Sequence, residues 1–250
     1  MSLGLAWCRR SPPERATLGG MFGDPDVPQR DGVRLRAAWA DALGTAPSAL
    51  EGSGVTRVVR DALDAVIVVE LAGATVVAAP PSAKAALAGL SADARHDVDA
   101  IAAALPGSRA IGSANLLFTG VRPAHPAHEV AEASSLDVAT VGAALPEEEW
   151  AEAGVQQMEH RWAVHDGAGP VAVAGFQRWH GSVAHLGVAV APDRRGQGYA
   201  DSAAARAVTA AIDAGLIAQW RCRVGNDASL RLADRLGFTR LGRQSTVRLS

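Results

Sequence analysis

The sequence contains few cysteines, no excess of either charge and no long, uninterrupted hydrophobic run. Its two cysteines, Cys8 and Cys222, belong to no Cys-x-x-Cys motif or Cys/His cluster, so we expect free thiols in a reducing compartment and no metal site. The 24 basic and 26 acidic residues give a formal net charge of -2. This balance gives no electrostatic reason to expect nucleic acid or a membrane surface as a partner.

Hydrophobic segments that could target or anchor the chain are also missing. The longest apolar stretch, residues 66–79, is interrupted by Glu70 and Gly73 and is too short to span a bilayer. Residues 1–20 lack the long apolar core of a signal peptide. We therefore expect a cytoplasmic protein. The length of 250 residues suits one large domain or two small ones, and 48% hydrophobic residues are enough for a sizeable core.

Prolines and turn residues divide the chain into three predicted parts. Residues 1–31 contain four prolines and mixed charge and are predicted to form a flexible leader. Residues 32–121 alternate predicted helices and strands, with a β-hairpin at 66–79. We interpret them as an N-terminal α/β companion domain, either a degenerate acyltransferase-like copy of the fold that follows or an unrelated lid. A proline-rich break then separates them from residues 122–250.

The C-terminal part has a regular rhythm of strands and helices. Strands are predicted at 157–166, 169–182, 183–192 and 218–224, with two shorter pieces within 238–249, and helices at 145–155, 201–216 and 227–236. Antiparallel strands followed by a β-α-β-α-β tail predict the α+β class. The sheet is expected to be mixed, mostly antiparallel and flanked by helices.

The segment APDRRGQGYADS, residues 191–202, lies where a predicted strand turns into a predicted helix. Gly196 and Gly198 let the backbone approach a ligand closely, and the first N–H groups of the helix lack internal partners. Arg194 and Arg195 add positive charge. No Gly-Lys-Ser/Thr follows, which excludes a Walker loop, and the preceding antiparallel strands argue against a dinucleotide fold. The segment predicts a pyrophosphate site; the alternative is a surface loop with an arginine pair.

Two motifs in this part resemble those of the GNAT superfamily of acyl-CoA-dependent N-acyltransferases. RGQGYA, residues 195–200, matches the family's Arg/Gln-x-x-Gly-x-Gly/Ala pattern between a strand and a long helix. Asn226 and Ser229, followed by Gly237-Phe238, match a second family motif. The resemblance covers about residues 121–250 and implies the GNAT-like fold.

The resemblance also implies the activity and the cofactor site. An amine is expected to attack the thioester of an acyl-CoA, with acetyl-CoA as the expected donor, in a ternary complex and without a covalent enzyme intermediate. A strand edge would pair with the pantetheine arm, the glycine turn would hold the diphosphate, and the second motif would close the gap between two splayed strands. The implied cofactor-binding residues are Val188, Ala189, Val190, Arg194, Arg195, Gly196, Gln197, Gly198, Tyr199, Ala200, Asn226 and Ser229.

The catalytic groups are less clearly implied. Many family members carry a Glu where this chain has His185, which makes this imidazole the candidate general base, since its ordinary pKa of about 6.5 suits neutral pH. The alternative is a strand histidine satisfied by a neighbour. Glu159 and His160 are fallback bases, and strand alternation lets at most one of them face the cleft. Ala233 stands where the family often has a Tyr that protonates the thiolate, so Ser229 or water is expected to supply this proton.

The acceptor is specified only as an amine of a small molecule or peptide. The predicted acidic helix 145–155 either attracts a cationic amine or is a solvated face with negative charge at its N-terminal end. Because Ala233 fills the Tyr position, a non-catalytic acyl-CoA sensor is the main alternative to an enzyme. An interaction module that has lost the cofactor is a third interpretation. We expect a monomer or a homodimer.

Overall fold

A computed structural model describes residues 29–91 and 93–249. The predicted leader, residues 1–31, lies outside the described residues except for its last three, which belong to the first helix. Cys8 lies outside them as well. None of the helices in the described part of the chain has the length and hydrophobicity needed to cross a membrane.

The helices and strands follow one another along the chain in an α+β order. The helices are α1 Gln29–Leu43, α2 Lys84–Ala88, α3 Val98–Ala103, α4 Ser135–Ala143, α5 Glu147–Ala153, α6 Tyr199–Asp213 and α7 Asp227–Arg235. The strands are β1 Val55–Val59, β2 Ala65–Leu71, β3 Ala74–Ala79, β4 Arg109–Thr119, β5 Val130–Glu132, β6 His160–Asp166, β7 Gly169–Trp179, β8 Val183–Val190, β9 Ile217–Arg223 and β10 Thr239–Arg248. Short 3-10 helices lie at Pro47–Leu50, Pro81–Ala83, Ala94–His96, Val155–Gln157 and Pro192–Arg194.

The described residues form two compact units. The first unit contains Leu117–Arg221 and Asn226–Thr239. The second contains residues 29–116, Cys222–Gly225 and residues 240–249. The last segment was predicted to belong with residues 122–250, and the contacts group it with the N-terminal residues instead. Three strands are divided between the units: β9 has most of its residues in the first unit, and β4 and β10 have most of theirs in the second.

The first unit carries the strands that surround the predicted cofactor loop. Their order is β9-β8-β7-β6-β5, and every pair is antiparallel except β8 with β9, which is parallel. Helix α6 packs against β6, β7 and β8 through a face of small residues, since alanines let a helix approach a sheet closely. The core on the side of α4 is formed by Val138, Val141, Leu145, Val155, Ala163, Val173 and Ala189.

The second unit is also built on a mixed sheet, in the order β1-β3-β2-β10-β4. Strand β2 pairs in antiparallel fashion with β3 and with β10, whereas β1 and β3 are parallel. The predicted hairpin at 66–79 is present, and its turn residues Ala72 and Gly73 have φ values of 49° and 92°. The core contains Val66, Val68, Val77, Ala79, Ala83, Leu87, Ile101, Leu105 and Val247. Whether this unit is a degenerate copy of the first stays a prediction.

The expected mixed, mostly antiparallel sheet flanked by helices is confirmed in the described residues. Some predicted elements differ in detail. The two strand-like pieces within 238–249 are one continuous strand, β10, which pairs with β2 from Gly242 onward. Helix α4 was not predicted, although Ser134 and Asp137 form a capping box at its start.

Two facing glycines leave room for the chain segment that crosses the β7–β8 hairpin. Gly175 and Gly187 are directly paired in the register of these strands. A Cβ on Gly187 would overlap the carbonyl oxygen of Ala153 and lie 2.5 Å from Met158 Cε, while one on Gly175 would overlap the carbonyl oxygen of His160. The segment from the end of α5 to the start of β6 therefore lies directly on this glycine pair.

We expect Gly187→Ala to lower the free energy of unfolding by about 2–3 kcal/mol, because backbone atoms that cannot rotate away must shift to admit the methyl group. The matched control is Gly167→Ala in the β6–β7 turn, where the added methyl group meets nothing within 4 Å. Urea unfolding followed by circular dichroism measures both variants. Equal stability of the two would contradict the packing described here.

Candidate functional site

The parallel pairing of β8 with β9 ends early and leaves an opening between the two strands. In the described residues, the ladder covers three pairs, Val183 with Ile217, Ala184 with Ala218 and His185 with Gln219. Strand β8 continues to Val190 and β9 to Arg223 beyond these pairs. The backbone groups of β8 after His185 therefore lie on an edge that another extended chain can use.

The glycine-rich turn follows β8 and leads into α6. Gly196 and Gly198 have φ values of 76° and 82°, a left-handed conformation that residues with a Cβ rarely adopt. A Cβ on Gly196 would meet nothing within 4 Å, so this side of the turn is open. Gly198 is the N-cap of α6 and makes no side-chain cap hydrogen bond. The first turn of α6 thus has the free N–H groups and the positive end of the dipole that favour an anion.

The two arginines of the turn are both engaged with carboxylates. Arg194 Nε donates to Asp166 Oδ2 at 2.8 Å, and its Nη1 donates to Asp193 Oδ2 at 2.5 Å. The hydrogen bond from Arg194 holds the pKa of the Asp166 carboxyl below its usual value. Arg195 pairs with Glu149 of α5. The arginines were expected to add positive charge for a phosphate, and in the structure each of them also pairs with a nearby carboxylate.

The acidic helix α5 forms an ion pair with the glycine turn. Neither interpretation of its sequence, as an attractor of amines or as a solvated face, included this contact. Helix α5 ends at Ala153, and Gly154, with a φ of 63°, is its left-handed C-cap. Of its acidic residues, Glu149 forms the ion pair with Arg195 of the glycine turn. No local sequence pattern indicates this pair, because the two residues are 46 positions apart.

His185 occupies the last registered pair, at the point where β8 and β9 begin to diverge. Its Nδ1 accepts a hydrogen bond from Gln219 Nε2 at 3.4 Å, so the neutral ring carries its proton on Nε2. Burial, with a smaller contribution from the positive charge of Arg221, lowers the pKa of His185 from its ordinary value of 6.5 to about 3. The imidazole is therefore neutral at pH 7. With this pKa the ring takes up a proton much less readily than a general base working at pH 7 should.

Asn226 and Ser229 meet at the start of α7. Asn226 Oδ1 accepts a hydrogen bond from the backbone N–H of Ser229 at 3.1 Å, which is an N-cap. Ser229 Oγ accepts a hydrogen bond from Trp220 Nε1 at 2.9 Å, and its own hydroxyl proton can still be donated. Ala233 is fully buried, so the position of the family's Tyr is packed into the protein interior.

The two fallback bases lie at the beginning of β6. The His160 ring packs at a tilt against Phe176, with the ring centres 4.7 Å apart. In the same cluster, the guanidinium of Arg206 in α6 lies over the ring of Trp162. This places the His160 ring on the α6 side of the sheet. Glu159 precedes the strand and is exposed. Neither residue forms a hydrogen bond that would identify it as the base, and both assignments stay predictions.

A family model described as an acetyltransferase (GNAT) domain matches residues 95–239, which is more than half of the chain. The chain belongs to the GNAT acetyltransferase family. The resemblance found in the two motifs is thereby confirmed, and so is the GNAT fold class that it implied. The family match begins within the second unit of this GNAT protein, ahead of the predicted boundary near residue 122.

Solved structures similar to this GNAT protein are distant in sequence. A protein of Novosphingobium aromaticivorans assigned to the GNAT family is 22% identical, with a TM-score of 0.46, over 58% of this chain and 69% of that one. A GCN5-related N-acetyltransferase from Kribbella flavida is 22% identical, with a TM-score of 0.44, over 57% and 60%. The yncA protein of Salmonella typhimurium, assigned as an acetyltransferase and solved with its cofactor acetyl-CoA, is 18% identical, with a TM-score of 0.36, over 49% and 92%. The match thus spans three fifths of the Kribbella protein. No curated protein matches this chain.

Most of the predicted site residues belong to the first compact unit of this GNAT protein. The strand segment 188–190, the turn 194–200 and the start of α7 all belong to the first unit, together with His185. Among the described residues, no group of three or more His, Cys, Asp or Glu side chains is arranged to hold a metal ion. Sequence reasoning missed His128, which contacts the glycine turn through Gln197.

The lowered pKa of His185 predicts a specific pH dependence of stability. As the pH falls below 6.5, the unfolded chain gains a proton on this residue and the native state does not until about pH 3, so the native state is progressively destabilised. Between pH 7.5 and pH 5, the wild type should lose about 2 kcal/mol more unfolding free energy than His185→Gln, which cannot take up this proton. Urea titrations at several pH values measure the difference. The control is His125→Gln, at an exposed histidine, which should keep the wild-type pH dependence. Parallel curves for the wild type and His185→Gln would contradict the assignment.

Proposed function

We propose that this protein binds acetyl-CoA in the opening between β8 and β9 and transfers its acetyl group to an amine. The observation that carries the proposal is the parallel ladder that ends at His185 and leads into a left-handed two-glycine turn at the start of α6. Acetyl-CoA has a peptide-like pantetheine arm with a diphosphate at its end. Such a ligand needs a strand edge for the arm and, next to it, a turn that can bind an anion. Family membership supports the same activity.

The residues present fit such a ligand. The edge of β8 at Val188–Val190 would hold the pantetheine arm through backbone hydrogen bonds. The N–H groups of residues 196–200 would hold the diphosphate, since the turn is open at Gly196 and no side chain caps α6. Asn226 and Ser229 would line the other side of the opening, where the Asn226 side chain already caps α7.

Acetyl-CoA supplies an acetyl group activated as a thioester, and the chain must polarise the carbonyl and manage two protons. A backbone N–H of β8 between Val188 and Val190 is the proposed donor to the carbonyl oxygen. The proposed donor of a proton to the leaving sulfur is Ser229, whose oxygen is held by Trp220. The buried Ala233 cannot take that role, because it has no acidic proton.

The role proposed for His185 follows from its tautomer. With Nδ1 accepting from Gln219, the neutral ring presents Nε2 as a hydrogen-bond donor, and burial keeps this form dominant at neutral pH because the pKa is about 3. We therefore propose that His185 acts in the cleft as a donor and that the proton of the amine leaves to water or to Glu159. This differs from the general-base role that the family resemblance implied.

The acceptor is proposed to be an amine of a small molecule or a peptide. The proposed location is the cytoplasm, in keeping with the low cysteine content. A second candidate is a non-catalytic acyl-CoA sensor, which the buried Ala233 favours. Binding of acetyl-CoA without release of thiol in the presence of an amine library would support the sensor over the enzyme.

The principal test is the variant Gly198→Glu, which places a carboxylate in the turn. We expect acetyl-CoA binding to weaken by at least about 100-fold, because the added carboxylate repels the diphosphate and its side chain, on the His128 side of the turn, disturbs the peptide groups that would bind it. Isothermal titration measures the affinity, and a thiol-release assay with mixed amines measures turnover.

The matched control for this test is Gly181→Glu, at the other end of β8. Gly181 has a φ of 77°, close to the 82° of Gly198, so the backbone strain and the added charge are matched. A Cβ at Gly181 would meet nothing within 4 Å, and one at Gly198 would lie 3.5 Å from His128 Nε2, an ordinary contact distance. The control should bind acetyl-CoA like the wild type. If both variants bind equally well, the glycine turn does not hold the diphosphate.

Removing the carboxylate that pairs with Arg195 should strengthen binding. We expect Glu149→Gln to lower the dissociation constant of acetyl-CoA about threefold at low salt, because the guanidinium is released and one negative charge near the diphosphate is removed. The gain should shrink at about 0.5 M salt, where screening shortens the range of the charges. The control is Glu148→Gln, an exposed neighbour with the same change in net charge. An equal gain in both variants would show that only the net charge matters.

A further inference from the structure

The connector between β4 and β5 holds the glycine turn through one side chain, His128. The backbone N–H of His128 donates to Ser202 Oγ at 3.1 Å, and Ser202 is a buried residue in the first turn of α6. The imidazole Nε2 donates to the carbonyl oxygen of Gln197 at 2.9 Å. The ring also packs against Tyr199, with the ring centres 4.4 Å apart. Three independent contacts thus join this residue to the turn and to α6.

The hydrogen bond to Gln197 acts on a peptide group of the turn itself. Gln197 lies between the two left-handed glycines, and its carbonyl belongs to the same peptide plane as the N–H of Gly198. In a trans peptide the C=O and N–H bonds point in opposite directions. By holding the carbonyl of Gln197 towards its own ring, His128 therefore directs the N–H of Gly198 to the other side of the turn.

Glycines leave this orientation poorly determined without such a contact. The Gln197–Gly198 peptide rotates about ψ of Gln197 and φ of Gly198, and the glycine makes rotation about this φ cost little, because it has no Cβ. The ring of His128 also lies 3.5 Å from the position that a Cβ of Gly198 would occupy, so this side of the turn is filled. The side at Gly196 has nothing within 4 Å of the corresponding position. A ligand of the turn must therefore approach from the side opposite His128.

We propose that His128 is a positioning residue of the diphosphate site, which fixes the Gln197–Gly198 peptide so that the Gly198 N–H faces the ligand. The proposal rests on the proposed function, since the ligand is the diphosphate of an acyl-CoA. His128 acts through the turn and is not itself placed against the reacting atoms. Its loss should weaken the binding of diphosphate ligands more than it changes turnover at saturation.

The test compares two substitutions that separate the hydrogen bond from the ring. His128→Gln keeps an N–H donor at a similar reach and loses the ring, whereas His128→Phe keeps the ring against Tyr199 and loses the donor. We expect His128→Phe to raise the dissociation constant of CoA about tenfold, and His128→Gln to stay within about threefold of the wild type. The control is His125→Phe, three residues earlier at an exposed position of the same connector.

Two further measurements separate positioning from mere structural support. Inhibition by pantetheine, which lacks the diphosphate, should be unchanged in His128→Phe, and the turnover number at saturating acetyl-CoA should stay within about twofold of the wild type. The melting temperature of each variant reports folding. A lower melting temperature with unchanged CoA affinity, or an equal loss for CoA and pantetheine, would overturn the proposal.

The wild type distinguishes failure of this inference from failure of the proposed function. If wild-type protein does not bind CoA, the proposed function fails and the role of His128 fails with it. If the wild type binds CoA and His128→Phe binds it equally well, the proposed function stands and only the positioning role is wrong. Rescue in His128→Gln together with loss in His128→Phe supports the proposal.

Discussion

The candidate site depends on the early end of one parallel strand pair. In the part of the chain that the structure describes, the β8–β9 ladder ends at His185 and Gln219, so the backbone groups of β8 after His185 lie along an edge on this side. The same strand then runs into the glycine turn, so the edge and the start of α6 form one continuous surface. If the ladder continued to Val190, these groups would be satisfied within the protein and no extended ligand could use them.

Glycines have two different roles around this opening. Gly175 and Gly187 remove side chains so that the segment after α5 can lie on the β7–β8 hairpin. Gly196 and Gly198 supply left-handed backbone, which points successive N–H groups to one side. The conformational freedom of glycine also lets peptide groups of the turn rotate at low cost. The hydrogen bond from His128 to the carbonyl oxygen of Gln197 restrains one of these peptide groups.

Electrostatics around the turn are balanced and not simply positive. Arg194 and Arg195 are paired with carboxylates, as is Asp201 with Arg235. In the proposed site, the attraction for an anion would therefore come mainly from oriented backbone dipoles. At the other end of the opening, burial and the hydrogen bond from Gln219 keep His185 neutral, which turns a residue expected to accept protons into one suited to donate a hydrogen bond.

The sequence by itself determined the elements and motifs whose signals are local. The strand-turn-helix with RGQGYA, the hairpin at 66–79 and the left-handed end of α5 at Gly154 follow from spacing and backbone preference, which neighbouring residues fix. Helix α4 was missed although its Ser134 and Asp137 capping box was readable. Only the tertiary structure decided which distant partners meet: Glu149 with Arg195, His128 with Gln197 and His185 with Gln219, separated by 46, 69 and 34 positions. No local preference encodes such contacts, because they arise when packing of the whole sheet brings separate segments together, and they set the charge and tautomer of the site.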